Sequence, residues 1–233
     1  MSNYLEQELK EAGFNVTKII DDVTLVEDFL SKEEIDHLFE IMSNLSQDDW
    51  EKEYMDNLPS FCMAKFGRDD VENLVAEGKF EITQNWKDKN YNISHEEIYK
   101  TIYSRLSVVV DAADQKLDLG ELELSGLATI QRMQEGVELK AHTDQHTDPS
   151  IRYAAIVYLN DDYVDGEIFF PNKDLQLRPK PGSLIIFPGN DEFHHGVKHV
   201  GKGPIRYVLV AFIKIKKFYE NNKYEGSICI KQF

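Results

Sequence analysis

The sequence predicts an α+β, mainly β fold: an antiparallel sandwich or barrel preceded by helices. Three observations point to it. Two capping boxes, Ser31 with Glu34 and Ser94 with Glu97, each open an apolar repeat at spacings of three and four. From about residue 122 to 214 the chain breaks into short β-branched and aromatic runs separated by Gly, Pro, Asn and Asp. The helical repeats precede these runs instead of alternating with them, which argues against a parallel doubly wound sheet.

In chain order, residues 1–30 read as an acidic lead-in and then an alternation at Val23, Leu25 and Val26, a strand ending near Phe29-Leu30. Ile35, Leu38, Phe39, Met42 and Leu45 continue the first capping box as a helix. The polar stretch from Ser46 to Asn92 carries Trp50 and Trp86 without clean periodicity and reads as loops with short helices. Ile98, Ile102, Leu106, Val109 and Ala113 form the second helix. The expected strands are Leu127–Met133, Val137–Ala141, Arg152–Leu159, Gly166–Phe170, Ser183–Phe187 and Ile205–Ile215. No repeat or linker divides the chain, so 1–233 is read as one domain. Within it, 1–120 is helical support with a candidate lid or peptide groove over 57–92, 121–215 is the core, and 216–233 is a C-terminal extension.

Composition narrows the function classes. Asp and Glu number 42 against 26 Lys and Arg, a formal charge of −16. Polyphosphate binding needs a basic face, and no Lys/Arg cluster is dense enough to overcome this background, so nucleic acid and anionic membrane surfaces are disfavoured partners. Cys62 and Cys229 are far apart and lack CxxC companions, which suggests neither a disulfide framework nor a zinc ribbon. The charged N-terminus has no apolar h-region and no run of about 18 apolar residues occurs, so a soluble cytoplasmic location is expected. Five of the seven histidines fall between positions 142 and 199.

Within that window, His142-Thr143-Asp144 follows an apolar alternation. In an extended chain, residues two apart point to the same side, so the imidazole and the carboxylate can close on one metal ion. Alone, the triplet reads more readily as a surface histidine beside an acid. A third ligand candidate, His195, lies about fifty residues on in Phe193-His194-His195-Gly196-Val197. Two imidazoles and one carboxylate with the opposite face open form the facial triad of non-haem Fe(II) oxygenases. Arg206 shares strand parity with Val208, Val210 and Phe212; a guanidinium on an apolar face needs a carboxylate partner, unless it sits at the rim and bends to solvent. Tyr158, in Ile156-Val157-Tyr158-Leu159-Asn160, is either a hydrogen-bond companion to that carboxylate or a core aromatic.

The ordered series is more specific than any member: HxD, a strand ending Tyr-Leu-Asn, Gly-Glu-x-x-Phe-Pro, Pro-Lys-x-Gly before an apolar strand, His-Gly-Val, and Gly-x-x-Arg. Over about residues 125–215 it resembles the prolyl 4-hydroxylase branch of the 2-oxoglutarate and Fe(II)-dependent dioxygenases. Upstream, DDVTLVEDFLSKEEIDHLF is similar to that family's strand-then-helix entry. The resemblance implies a double-stranded β-helix, or jelly roll, with helices against the outside of one sheet. It implies His142, Asp144 and His195 as iron ligands, and Arg206 with Tyr158 as the anchor for the distal carboxylate of 2-oxoglutarate. Fe(II) and 2-oxoglutarate are the implied cofactors, O2 the co-substrate, and ascorbate the reductant. The implied reaction is hydroxylation with release of succinate and CO2, with a prolyl residue in a peptide or protein as the leading substrate. Two other readings stand beside it: the same chemistry on a free amino acid or small molecule, and a non-catalytic jelly-roll binding module. Arg206 argues against the second, and a zinc hydrolase with the same ligands would leave Arg206 and Tyr158 unexplained.

Two features depart from the pattern. Met133 stands where the family usually has a Tyr, nine residues before the first ligand, which removes a hydrogen-bond donor. Asp165-Gly166-Glu167 replaces the common Gly-Gly-Glu. The sequence also offers duplicates: His146-Thr147-Asp148 repeats the triplet and His194 adjoins His195. His142 is preferred because it directly follows the Val137-Leu139-Ala141 alternation, and His195 because Gly-Val follows it. His146 and His194 are then neighbours of the ligands or face the substrate, and His199 takes a place where the family often has Pro.

Overall fold

The computed structural model describes residues 4–45, 50–52, 59–62, 96–117, 121–124, 129–216 and 218. Ser94, Trp86, Cys229, most of the candidate lid over 57–92 and most of the 216–233 extension lie outside the described residues.

The large sheet has nine strands. It is built from β1 (Asn15–Ile20), β2 (Val23–Glu27), β3 (Glu51–Lys52), β4 (Pro59–Cys62), β5 (Leu122–Leu124), β6 (Thr129–Met133), β8 (Ile151–Tyr158), β11 (Leu184–Pro188) and β13 (Arg206–Ile215). Its order is β1-β2-β11-β8-β13-β6-β4-β3, with β5 also paired to β13. The small sheet, in order, is β10 (Leu175–Leu177), β9 (Ile168–Phe170), β12 (His195–Val197) and β7 (Leu139–His142). All the strand pairings are antiparallel.

Side-chain alternation along the central strands explains how two cores form from one sheet. Ala154, Ile156 and Tyr158 of β8, Ile185 and Phe187 of β11, and Val208 and Val210 of β13 face inward and meet Ile168 and Phe170 of the small sheet. The intervening residues, among them Tyr153, Ala155, Val157, Leu184, Ile186, Leu209, Ala211 and Ile213, face outward and are covered by helices. The sandwich interior and the helix-covered face are therefore separate layers. The predicted helices supply that cover. Helix α2 (Lys32–Ser43) begins at Ser31, whose side chain accepts from the Glu34 amide while the Glu34 carboxylate accepts from the Ser31 amide; Ile35, Leu38, Ile41 and Met42 are buried beneath it. Helix α3 (Glu96–Leu117) buries Ile102, Leu106, Val109 and Ala113 in the same layer. Among the described residues, no helix is long and apolar enough to cross a membrane.

The first thirty residues hold more than the one expected strand. Helix α1 (Tyr4–Glu11) buries Leu5 and Leu9 in the helical layer, and β1 pairs with β2. Two leucines four apart are too short a repeat to register as a helix in sequence, and β1 buries only Val16 fully because it is an edge strand. The region expected to be helical support thus also contributes four strands to the large sheet.

Candidate metal centre

The open end of the sandwich is defined by a register. Strands β7 and β12 pair so that His142 and His195 lie directly opposite one another, with ring centroids 4.6 Å apart. Gly196 permits this approach: a Cβ there would lie 2.6 Å from the Leu139 carbonyl oxygen and 2.9 Å from the Ala141 nitrogen. Asp144 arrives differently from the sequence expectation. It is the first residue of a short helix, α4 (Asp144–Thr147), following an extended Thr143. The carboxylate is brought to the histidines by a strand-to-helix turn, not by strand parity. Gly189 leaves room for that turn, since a Cβ there would stand 3.3 Å from Asp144 Cβ and 3.0 Å from Ile151 Cγ2.

The three groups meet through the right atoms. Asp144 Oδ1 is 3.5 Å from His142 Nε2 and Asp144 Oδ2 is 3.9 Å from His195 Nε2. One ligand atom from each lies within 4.8 Å of the others. His142 Nδ1 is 3.0 Å from the Lys140 carbonyl oxygen, and His195 Nδ1 is 3.0 Å from the Phe193 carbonyl oxygen. A carbonyl only accepts, so each Nδ1 carries the proton, and in the neutral ring the Nε2 lone pair is left to face the centre. Burial pushes the His195 pKa below its ordinary value, with the Asp144 carboxylate opposing the shift, which favours the neutral, ligating ring. Phe187 packs edge-on against His195 at 4.6 Å and fixes its plane.

The donor set fits a divalent cation. Asp144 is 4% exposed, yet its Oδ2 has no hydrogen-bond partner. Burying a carboxylate oxygen unpaired costs several kcal/mol, of order, and a cation among the three ligand atoms removes that cost.

A second polar group lies inside the sandwich. Arg206 is 1% exposed and pairs across strands with Met133, whose Sδ is 3.5 Å from Nη1. Its Nη2 is 3.4 Å from the Tyr158 hydroxyl, and its Cζ stands 5.2 Å from the Tyr158 ring centroid. Nε has no partner, and among the described residues no carboxylate forms an ion pair with this guanidinium. Burial pushes the Tyr158 pKa up to about 12 despite the adjacent Arg206 cation, so the phenol is neutral and keeps its proton. The place of the family's usual Tyr is therefore filled by a thioether, a weak acceptor, directly across from the arginine.

These positions bear on known proteins in a definite way. Residues 128–214 match the family model of the 2OG-Fe(II) oxygenase superfamily. The matched span takes in all five candidate site residues, His142, Asp144, Tyr158, His195 and Arg206. That family uses Fe(II), 2-oxoglutarate and O2. Among curated relatives, a 56-residue stretch is 41% identical to human prolyl 3-hydroxylase 2, covering 22% of this chain and 8% of that protein. Among solved structures, a Pseudomonas putida prolyl-4-hydroxylase superposes with a TM-score of 0.60 at 15% identity, covering 91% of this chain and 99% of that one. A Trichoplax adhaerens prolyl hydroxylase in complex with a hypoxia-inducible factor oxygen degradation domain peptide gives 0.55 at 15%, covering 93% and 90%. At such identities the superpositions establish the jelly-roll fold.

Three more histidines lie between positions 142 and 199. His194 Nδ1 is 3.1 Å from Thr143 Oγ1, so it links the two ligand-bearing segments. His146 is exposed on α4, with Nε2 2.9 Å from Asp191 Oδ1. His199 is exposed, and its carbonyl accepts from the Gly166 amide. Asp148 accepts from the Ser150 amide and hydroxyl through Oδ1 and so closes a turn of its own. Sequence reasoning missed Tyr163, which is 1% exposed and has its ring centroid 5.7 Å from Arg206 Cζ. It sits in irregular chain between β8 and β9, where no periodicity gives side-chain direction; five-residue proximity to Tyr158 was the one available signal.

Proposed function

We propose that this chain is a 2-oxoglutarate- and Fe(II)-dependent dioxygenase that hydroxylates a prolyl residue in a peptide or protein. The overall conversion is substrate C–H plus O2 plus 2-oxoglutarate to substrate C–OH, succinate and CO2. One observation carries the reading: the sandwich interior holds an unpartnered buried carboxylate oxygen on Asp144 and an unpaired buried guanidinium on Arg206. A cation at the first and a dicarboxylate reaching the second satisfy both.

In this reading His142, Asp144 and His195 hold iron on one face and leave the opposite face open. When bound, iron supplies O2 activation, with the keto acid as the source of the second electron pair. Arg206 and Tyr158 take the distal carboxylate, Arg206 as the cation and Tyr158 as a neutral donor. Ile156, Phe187 and Val208 line the same interior and keep water from it. The Nδ1 bonds to the Lys140 and Phe193 carbonyls hold the ligand rings in orientation.

The prolyl substrate is supported by the names of the similar proteins, which are prolyl hydroxylases, one of them bound to a peptide. A net charge of −16 suits a basic peptide through long-range steering. The test is a mass-spectrometric search for a +16 Da product across proline-containing peptides, one oxygen atom added, with succinate formation measured in parallel. Succinate coupled to a free amino acid and to no peptide would replace the substrate assignment. The absence of a visible band on anaerobic addition of Fe(II) and 2-oxoglutarate, where His142→Ala should be the silent control, would remove the cofactor assignment.

A further inference from the structure

We propose that Tyr163 is a third anchoring group for the co-substrate, its hydroxyl donating to the distal carboxylate the hydrogen bond that Met133 cannot. This rests on the oxygenase reading above. The Tyr163 hydroxyl is buried and has no hydrogen-bond partner. A phenol proton enclosed without an acceptor costs about 1–3 kcal/mol, and among the described residues nothing accepts it. Its surroundings show what is missing. The ring contacts two guanidinium groups, Arg206 at 5.7 Å and Arg178 at 4.9 Å from its centroid. Tyr158 also stands against Arg206, at 5.2 Å from its ring centroid to Cζ. Arg206 Nε and the two phenols all carry protons to donate, and among the described residues the guanidinium is bonded to the Tyr158 hydroxyl and the Met133 sulfur. A cluster of donors whose acceptor is a weak thioether suits an anion.

The fold holds Tyr163 in that place on purpose-built supports. Arg178 donates from Nη1 to the Tyr163 carbonyl, and from Nη2 to the Asp165 carbonyl and the Glu167 carboxylate, which ties down the irregular segment from both ends. Gly166, at φ +71°, then lets Tyr163 and Arg206 approach: a Cβ there would stand 3.4 Å from Tyr163 Cδ2, 3.5 Å from Arg206 Cδ and 3.0 Å from Val200 Cγ2. The common Gly-Gly-Glu turn is Asp165-Gly166-Glu167 here, with Asp165 also at positive φ, so the turn geometry survives the change. The phenol that the family pattern places on β6 is thus replaced by one on the β8–β9 segment, on the same guanidinium.

The alternative role for Tyr163 is a packing one, a ring in contact with two cations. Tyr163→Phe separates the two, because it keeps the ring and removes only the hydroxyl. Full-length protein loaded with Fe(II) is titrated anaerobically with 2-oxoglutarate, and separately with 2-oxopentanoate, which keeps the chelating end and replaces the distal carboxylate with a methyl group. The visible charge-transfer band reports binding. The expected result is a Kd for 2-oxoglutarate raised about tenfold in Tyr163→Phe, with the Kd for 2-oxopentanoate and the band position unchanged. No change for either acid, or an equal change for both, would overturn the assignment while leaving the oxygenase reading in place. A wild-type protein that gives no band with either acid would overturn both.

Discussion

Thr143 Oγ1 lies 3.1 Å from His194 Nδ1, and this bond joins the turn that presents Asp144 to the strand that presents His195. Each partner is the immediate chain neighbour of a ligand candidate. Thr143 is 2% exposed, so the bond is shielded from competing water. Thr143→Val keeps the shape and removes the bond. The expected outcome is a stability loss of about 1 kcal/mol in thermal melting, with Fe(II) affinity lowered by about tenfold, as for other partners that orient metal ligands. Metal titration in a competing chelator measures the second quantity. Unchanged affinity would show that the His142–His195 register alone sets the centre.

The register itself is tested at Gly196. Its Cα faces the Leu139 carbonyl and the Ala141 nitrogen, both backbone atoms that cannot rotate away. Gly196→Ala must spread β12 from β7, and it does so at the His142–His195 pair. A destabilisation of about 1–3 kcal/mol is expected from overpacking. Loss of metal binding should exceed what Thr143→Val produces, because the strand pair carries both histidines. Denaturant melts and the same chelator competition check the two effects together.

A helix cap far from the centre supplies the contrast. Ser31→Ala removes the side-chain acceptor for the Glu34 amide at the start of α2. The cost is about 1 kcal/mol of stability. Since α2 covers the outer face of the large sheet and not the sandwich interior, metal and 2-oxoglutarate affinities should stay within twofold of wild type. A larger loss would mean that the outer layer positions the centre.

How far the sequence could be read depended on whether a residue's direction was set by a local repeat. The α2 capping box and its buried face were legible because Ser31, Glu34, Ile35 and Leu38 obey a helical period. So were the central strands, where β8 and β13 are buried on both faces and read as near-continuous apolar runs. Arg206 was legible by parity with Val208 and Val210. Residues in irregular chain were not. Asp144 was placed beside His142 for a reason that the structure replaces, since a turn and not an extended strand brings it there. Tyr163 was invisible because its direction depends on Arg178, fifteen residues away in sequence, and on the room left by Gly166. The short strands β3 and β4 at one end of the large sheet were missed for a similar reason: two to four residues cannot show a period.

Arg206 gives the sharpest test of the pocket, because its removal should have opposite effects on the empty and the filled protein. Without ligand it is a buried cation that has no carboxylate partner among the described residues. Replacing it with methionine removes the desolvation cost and keeps most of the side-chain volume, a class of change that is often neutral or stabilising by about 1–4 kcal/mol. The melting temperature of Arg206→Met without ligand should therefore equal or exceed that of wild type. With Mn(II) and 2-oxoglutarate present, the order should reverse. A ligand at one hundred times its Kd stabilises the native state by about 2.7 kcal/mol, worth about 5–10 °C in a chain of this size. The wild type should show that gain, and Arg206→Met should show a small remainder from the metal end alone. A large drop in the melting temperature of ligand-free Arg206→Met would mean that the guanidinium holds the fold together and that its charge is already answered within the chain.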